Sequence, residues 1–132
     1  MIYIRSLEEV EKIRESNRIV AETLVLLGKA IKPGISTLAL DKLAEEYIHS
    51  QDAQPAFKGY NGFPASICAS IDEQVVHGIP SQRELCEGEI IGIDVGALKG
   101  RYYGDAAFTF AVGQVDETRQ QLMRVTEDSL YK

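Results

Sequence analysis

An α+β fold, with helices segregated from an antiparallel sheet, is predicted for this 132-residue chain by three features. Apolar residues at helical spacing run through Leu7–Leu27 and again through Leu40–Ile48. Ile90 to Val112, IIGIDVGALKGRYYGDAAFTFAV, has arms of β-branched and aromatic residues on either side of Lys99-Gly100, the pattern of a β-hairpin. A third helical pattern (Leu122, Val125, Leu130) follows within Glu117 to Tyr131. The length suits one domain with a sizeable core.

Ile2 to Ile4 reads as a short strand or an extended arm. Ser6 opens the first helix, with Glu9 completing a capping box. Leu7, Val10, Ile13, Val20, Leu24 and Leu27 make its apolar stripe. Asn17 sits on that side, suited to bond across to a neighbouring loop, and Gly28 or the later Pro33-Gly34 ends the element. Ser36 or Thr37 caps a second helix that runs to about His49, which complements the macrodipole there. Its stripe is Leu40, Leu43, Ala44, Tyr47 and Ile48. Gln51 to Pro64 is a polar connection that nonetheless carries Phe57, Tyr60 and Phe63; such aromatics either tuck under the loop or line a pocket. Ser66 to Ile71 alternates like a strand and Asp72-Glu73 marks a turn. Val75 and Val76 resume an apolar strand that stops at His77-Gly78, from where a histidine can be displayed into a cleft. Ser81 to Glu89 links to the hairpin.

With Lys99-Gly100 as a two-residue turn, Ile91 pairs with Phe108, Ile93 with Ala106, Val95 with Gly104 and Ala97 with Tyr102, so one face is apolar on both arms. The other face sets Gly92, Asp94 and Gly96 against Ala107, Asp105 and Tyr103, which puts Asp94 directly across from Asp105. Like charges at a cross-strand pair, with Cβ atoms roughly 5 Å apart, destabilise a hairpin. Solvation or a bulge would separate them, and a shared proton would relieve them. The small neighbours, which leave open space above both carboxylates, favour a divalent cation that turns repulsion into ligation.

Composition narrows the partners. The chain is 45% hydrophobic and 26% charged with a net charge of −6, which argues against nucleic acid or an anionic membrane as the main partner. No two basic residues are adjacent, no run approaches the ~18 apolar residues of a membrane span, and the charged, periodic start is unlike a signal peptide. Cys68 and Cys86 lie in no CxxC or zinc-ribbon spacing, so reduced thiols in a cytoplasmic protein are expected. Any metal is then held by oxygen and imidazole.

YNGFPASICASIDEQVVHGIPS followed by IIGIDVG and YYGDAAFTF resembles type I methionine aminopeptidase, a metallopeptidase with the pita-bread fold, over nearly the whole chain. VVHGIPS, the IDV aspartate and the YGD aspartate occurring together carry the resemblance. It implies that residues 1–132 are the N-terminal portion of such a catalytic domain, half of a pita-bread fold, with Val125 to Lys132 opening a second half. It implies removal of the initiator methionine from nascent polypeptides by metal-activated water in the cytoplasm, with two divalent ions (Mn, Fe, Co or Zn). Asp94 would be the bidentate carboxylate on one ion and Asp105 the bridge between both. His77 would be the catalytic non-ligand imidazole, hydrogen-bonding the substrate around its scissile amide. Tyr60, Phe63 and Cys68 would line the methionine side-chain pocket, with Phe57 nearby.

The family completes its site with one histidine and two glutamates from a second half that these residues do not contain. The resemblance therefore implies two of five ligands, metal held weakly or not at all by this chain alone, and little or no activity without the rest. The implied partners are the N-terminal methionine of a peptide or nascent protein, and either a C-terminal half or a second copy meeting the exposed sheet. Two other readings are a relative acting on Xaa-Pro bonds and a non-catalytic pita-bread module that binds a peptide or protein.

Overall fold

In the computed structural model, which describes residues 2–132, α1 (Leu7–Ala30) starts at a complete capping box. The Ser6 side chain accepts the Glu9 N–H, and the Glu9 carboxylate accepts the Ser6 N–H. Residues 2–5 form no strand and are exposed, so the extended arm is the alternative that holds. Gly28 lies within α1, which runs on to Ala30 before the turn at Pro33-Gly34. Ser36 caps α2 (Thr37–Ser50), its Oγ accepting the Ala39 N–H.

Four antiparallel strands follow: β1 (Gln54–Pro55), β2 (Ile67–Ile71), β3 (Ile90–Lys99) and β4 (Tyr102–Ala111). β3 is central. One of its edges pairs with β2 and, further along, with β1; the other pairs with β4. Ile91, Ile93, Val95 and Ala97 point to one face and are fully buried against Ile19, Val20 and Leu27 of α1 and Leu40, Ala44 and Ile48 of α2. Each of the valine, leucine and isoleucine side chains among them stabilises by about 1.5–3 kcal/mol relative to exposure. The helices α1 and α2 thus cover a single face of the sheet and leave the other open.

The hairpin departs from the expected register by one turn residue. Gly100 and Arg101, not Lys99 and Gly100, occupy the bend, both with positive φ (55° and 76°) as a tight primed turn requires. Lys99 stays in β3 because its ammonium is anchored, donating to the Gln51 carbonyl at 2.8 Å and pairing with Glu15 at 3.0 Å. Ile91 therefore pairs with Phe110, Ile93 with Phe108, Val95 with Ala106 and Ala97 with Gly104. Asp94 faces Ala107 and Asp105 faces Gly96, so the two aspartates are diagonal neighbours and not direct partners.

Four further expectations need correcting. Val75 and Val76 are exposed loop residues and form no strand; the chain from Gln74 to Pro80 instead folds back along β2, where the Ala69 N–H donates to the Gly78 carbonyl at 2.8 Å. The connection after α2 contains a short strand, β1, held on β3. The apolar stripe of α1 is buried only from its middle onward: Leu7 is 87% exposed, whereas Ser16, Ile19, Val20, Thr23 and Leu27 are buried. The shift follows from a backbone-to-backbone crossing. Gly104 lies under the peptide joining Ser16 and Asn17, where a Cβ would stand 2.5 Å from the Ser16 carbonyl carbon. Ser16 Oγ donates to the Tyr102 carbonyl at 2.9 Å, and Asn17 Oδ1 accepts the Asp105 N–H at 3.3 Å, so Asn17 bonds to a strand and not to a loop.

Asp41 of α2 fixes where β2 begins. Its buried Oδ1 accepts the N–H groups of Ser66 (2.8 Å) and Ile67 (3.0 Å); burial raises the carboxyl above its ordinary range, and those two donors oppose the rise.

The last element, α3 (Glu117–Leu130), is capped by Asp116 and buries no residue. The Arg119 guanidinium ties it down, donating to both Asp72 oxygens at 3.2 and 3.1 Å. Arg119 holds the Asp72 carboxyl below its usual range, and its backbone N–H and guanidinium do the same for Asp116. Because the folded values lie below the unfolded ones, this tether is fully present above the unfolded carboxylate range (~3.9) and is lost as pH falls through the folded values. Acidification from about pH 5 to about pH 2 should move the backbone chemical shifts of residues 117–130 toward random coil while those of the core half of α1 hold. Arg119→Gln should produce the same change at neutral pH; a helix α3 equally ordered in that variant would remove the tether from the account.

Candidate active site

Side chains alternate across a sheet, so β3 directs Gly92, Asp94 and Gly96 to the face opposite the helices. β2 contributes Cys68, the cross-strand partner of Asp94, and β4 contributes Tyr103, Asp105 and Ala107. A cleft of about 760 Å³ opens above them. Its walls come from the 56–64 loop and from His77 and Ile79. Phe57, Tyr60, Phe63, Cys68, His77, Asp94 and Asp105 all line it, so every site residue expected from the sequence meets in one place. Ile79 and Tyr103 line it too and were not anticipated. The signal was present for Tyr103, which lies two residues from Asp105 in β4, but not for Ile79, which follows the left-handed His77 in a loop.

Local backbone bonds place these walls. The Ala56 N–H donates to the Gly96 carbonyl at 2.9 Å and pins the start of the loop to β3. One 3-10 turn at Tyr60–Gly62, closed by the bonds Phe63 N–H to Tyr60 O and Gly59 N–H to Phe63 O, returns the chain toward β2. This settles the loop aromatics as cleft-lining. His77 takes a left-handed conformation (φ 60°), and Gly78 follows it hard against the Ala69 carbonyl, with its N–H on Ser70 Oγ at 3.1 Å. The His77 side chain is exposed at the rim.

The electrostatics are those of an unfinished anion cluster. Asp94 Oδ1 is buried with no hydrogen-bond partner. Burial, and then the charge of Asp105 beside it, push the Asp94 carboxyl above its ordinary range, while His77 opposes the shift. Burial and the same two aspartates push the Cys68 thiol up to about 11, so Cys68 stays protonated and lines the wall instead of acting as a nucleophile. Among the described residues no lysine or arginine lines the cleft. An orphaned buried polar oxygen costs about 1–3 kcal/mol, and oxygen donors of this kind suit a hard divalent cation. The two carboxylates fit such an ion as a partial ligand set, since among the described residues no group of three or more ligating side chains gathers. A second concavity, along α1, is walled by Glu8, Glu11, Lys12, Arg14, Glu15 and Arg18 and is charged, solvated helix surface.

The chain that carries this cleft has counterparts among known proteins. Residues 11–132 match metallopeptidase family M24. The chain belongs to that family. Among M24 relatives, the methionine aminopeptidase of Clostridium acetobutylicum is 53% identical over 133 aligned positions, covering 100% of this chain and 53% of that protein. Methionine aminopeptidase 1 of Bacillus subtilis is 52% identical, again with 100% of this chain and 53% of that protein covered. The crystal structure of methionine aminopeptidase from Rickettsia prowazekii superposes with a TM-score of 0.98 at 38% identity, over 100% of this chain and 53% of that one. The chain thus spans about half the length of the curated relatives it matches. The resemblance read from the motifs is borne out, as is the fold expected from it, half of a pita-bread architecture. Prolidase from Pyrococcus furiosus, at 23% identity and a TM-score of 0.79, shares the fold alone. Membership of M24 brings with it the use of divalent metal in the parent enzyme. Among the described residues no helix is long and apolar enough to cross a membrane.

Proposed function

We propose that residues 1–132 form the N-terminal portion of the catalytic domain of a methionine aminopeptidase, acting in the cytoplasm on the N-terminal methionine of peptides and nascent proteins. The observation that carries this reading is the unpartnered, buried Asp94 oxygen beside Asp105 at the floor of an apolar cleft. Asp94 and Asp105 are the residues that would hold the metal. When bound, divalent ions (Mn, Fe, Co or Zn) supply Lewis acidity and a nucleophilic water near neutral pH. The chain's own residues bind and orient. Tyr60, Phe63, Cys68 and Phe57 enclose the unbranched thioether side chain, which packs well in irregular apolar space. His77, at the rim, hydrogen-bonds the substrate around its scissile amide and steadies charge that develops there.

Two carboxylates hold such ions weakly, so the remaining ligands would come from a C-terminal half; that half, or a second copy, would meet the open face of the sheet. The 132-residue chain alone is accordingly expected to be inactive or nearly so. The test is release of methionine from a Met-Ala-type peptide by the complete gene product with added Mn²⁺ or Co²⁺. Methionine release supports the assignment. Preference for Xaa-Pro substrates would transfer it to the prolidase branch, and tight protein binding without cleavage would favour a non-catalytic module.

A further inference from the structure

Gly96 has no part in the chemistry above, yet it sits at the junction of the carboxylates and the aromatic wall. It is buried, follows Asp94 by two residues on the cleft face and is the cross-strand partner of Asp105. A Cβ built on it would stand 2.5 Å from Phe57 Cε1, 3.0 Å from Phe57 Cδ1 and 3.1 Å from the Ala56 Cβ. The volume a side chain would occupy is therefore filled by the edge of the Phe57 ring. The backbone beneath that ring is fixed by the Ala56 N–H bond to the Gly96 carbonyl. The ring is the part free to yield, and the open space beside it is the cleft that Phe57 lines.

We infer that Gly96 is a specificity-determining residue. By carrying no side chain it seats Phe57 against the floor of β3 and so sets how long an unbranched apolar side chain the pocket accepts. The inference rests on the reading of the cleft as a side-chain pocket, but not on hydrolysis. A methyl group at position 96 lifts the ring into the pocket and shortens it. In an apolar pocket one methylene of misfit discriminates by roughly 10–200-fold, so the change falls on long side chains and spares short ones.

The test is an NMR titration of the 132-residue chain with L-methioninamide and with L-2-aminobutyramide, whose side chain is shorter, following Phe57, Tyr60, Phe63 and Cys68. The wild type is expected to prefer methioninamide. Gly96→Ala should weaken methioninamide about tenfold or more and leave the shorter ligand within about twofold. Adding Phe57→Leu to that variant should restore the preference, because the smaller side chain returns the space. Equal weakening of both ligands, an unchanged preference, no rescue, or no saturable binding at these residues each overturns the inference. Should Gly96→Ala not fold, Phe57→Leu alone serves: it should favour L-ethioninamide over L-methioninamide relative to the wild type, and an unchanged ratio is equally fatal. Failure of the complete gene product to release methionine overturns the function proposed above without altering this preference, so the two fail separately.

Discussion

Asp105→Ala is expected to abolish methionine release by the complete gene product, with kcat/KM falling by more than about 100-fold if the proposed function holds. Loss of a residue that merely supports a metal ligand costs roughly 10–100-fold, so loss of the proposed ligand itself should cost more. The fold should survive, because the Asp105 side chain is exposed and its backbone N–H keeps its bond to Asn17 Oδ1. Asp94 behaves differently in the isolated chain. Its carboxyl is raised by burial and by Asp105, so the charged form costs stability that is regained when the charge is removed. Asp94→Asn should therefore raise the melting temperature of the 132-residue chain at neutral pH, and millimolar Mn²⁺ should stabilise that variant less than it does the wild type. Full peptidase activity in Asp105→Ala would end the assignment of these residues as ligands. A lower melting temperature in Asp94→Asn would show instead that the carboxylate is satisfied by the protein.

Gly104→Val is expected to cost about 3–5 kcal/mol, above the ~1–3 of ordinary overpacking. The atoms that a Cβ would meet at 2.5–2.6 Å are Ser16 C, Ser16 O and Asn17 N, all helix backbone, and none can rotate away. α1 must lift from β4. Two bonds go with it, Ser16 Oγ to Tyr102 O and Asp105 N–H to Asn17 Oδ1, and with them the placement of Asp105. Against a total stability of ~5–15 kcal/mol, this leaves a domain at the edge of folding. Urea denaturation followed by circular dichroism measures it directly. A midpoint near that of the wild type would mean that α1 does not cross β4 in contact.

The caps were legible because they are local: Ser6 with Glu9, and Ser36, satisfy helix N–H groups within a few residues. The failure at Val75 and Val76 has the opposite origin. Their apolar pair reads as a strand, but the edge of β2 beside them is taken by Gly78, whose missing Cβ allows an approach that no periodicity records. The stripe of α1 misled for a similar reason, since Ser16 and Asn17 are selected by contact with β4 and not by hydrophobicity.

What the sequence by itself determined was the face on which the acidic pair lies. Strand side chains alternate with a period of two, and the register error moved partners by two residues, so Asp94 and Asp105 kept their common side. Only the tertiary structure decided how they stand there. The anchored Lys99 and the positive φ of Gly100 and Arg101 set them diagonally, and the depth of the sheet buries one Asp94 oxygen without a partner. Loops that lie 37 and 17 residues before Asp94 bring Phe57 and His77 to the walls of the same cleft. Such meetings depend on long-range packing, which local spacing does not encode.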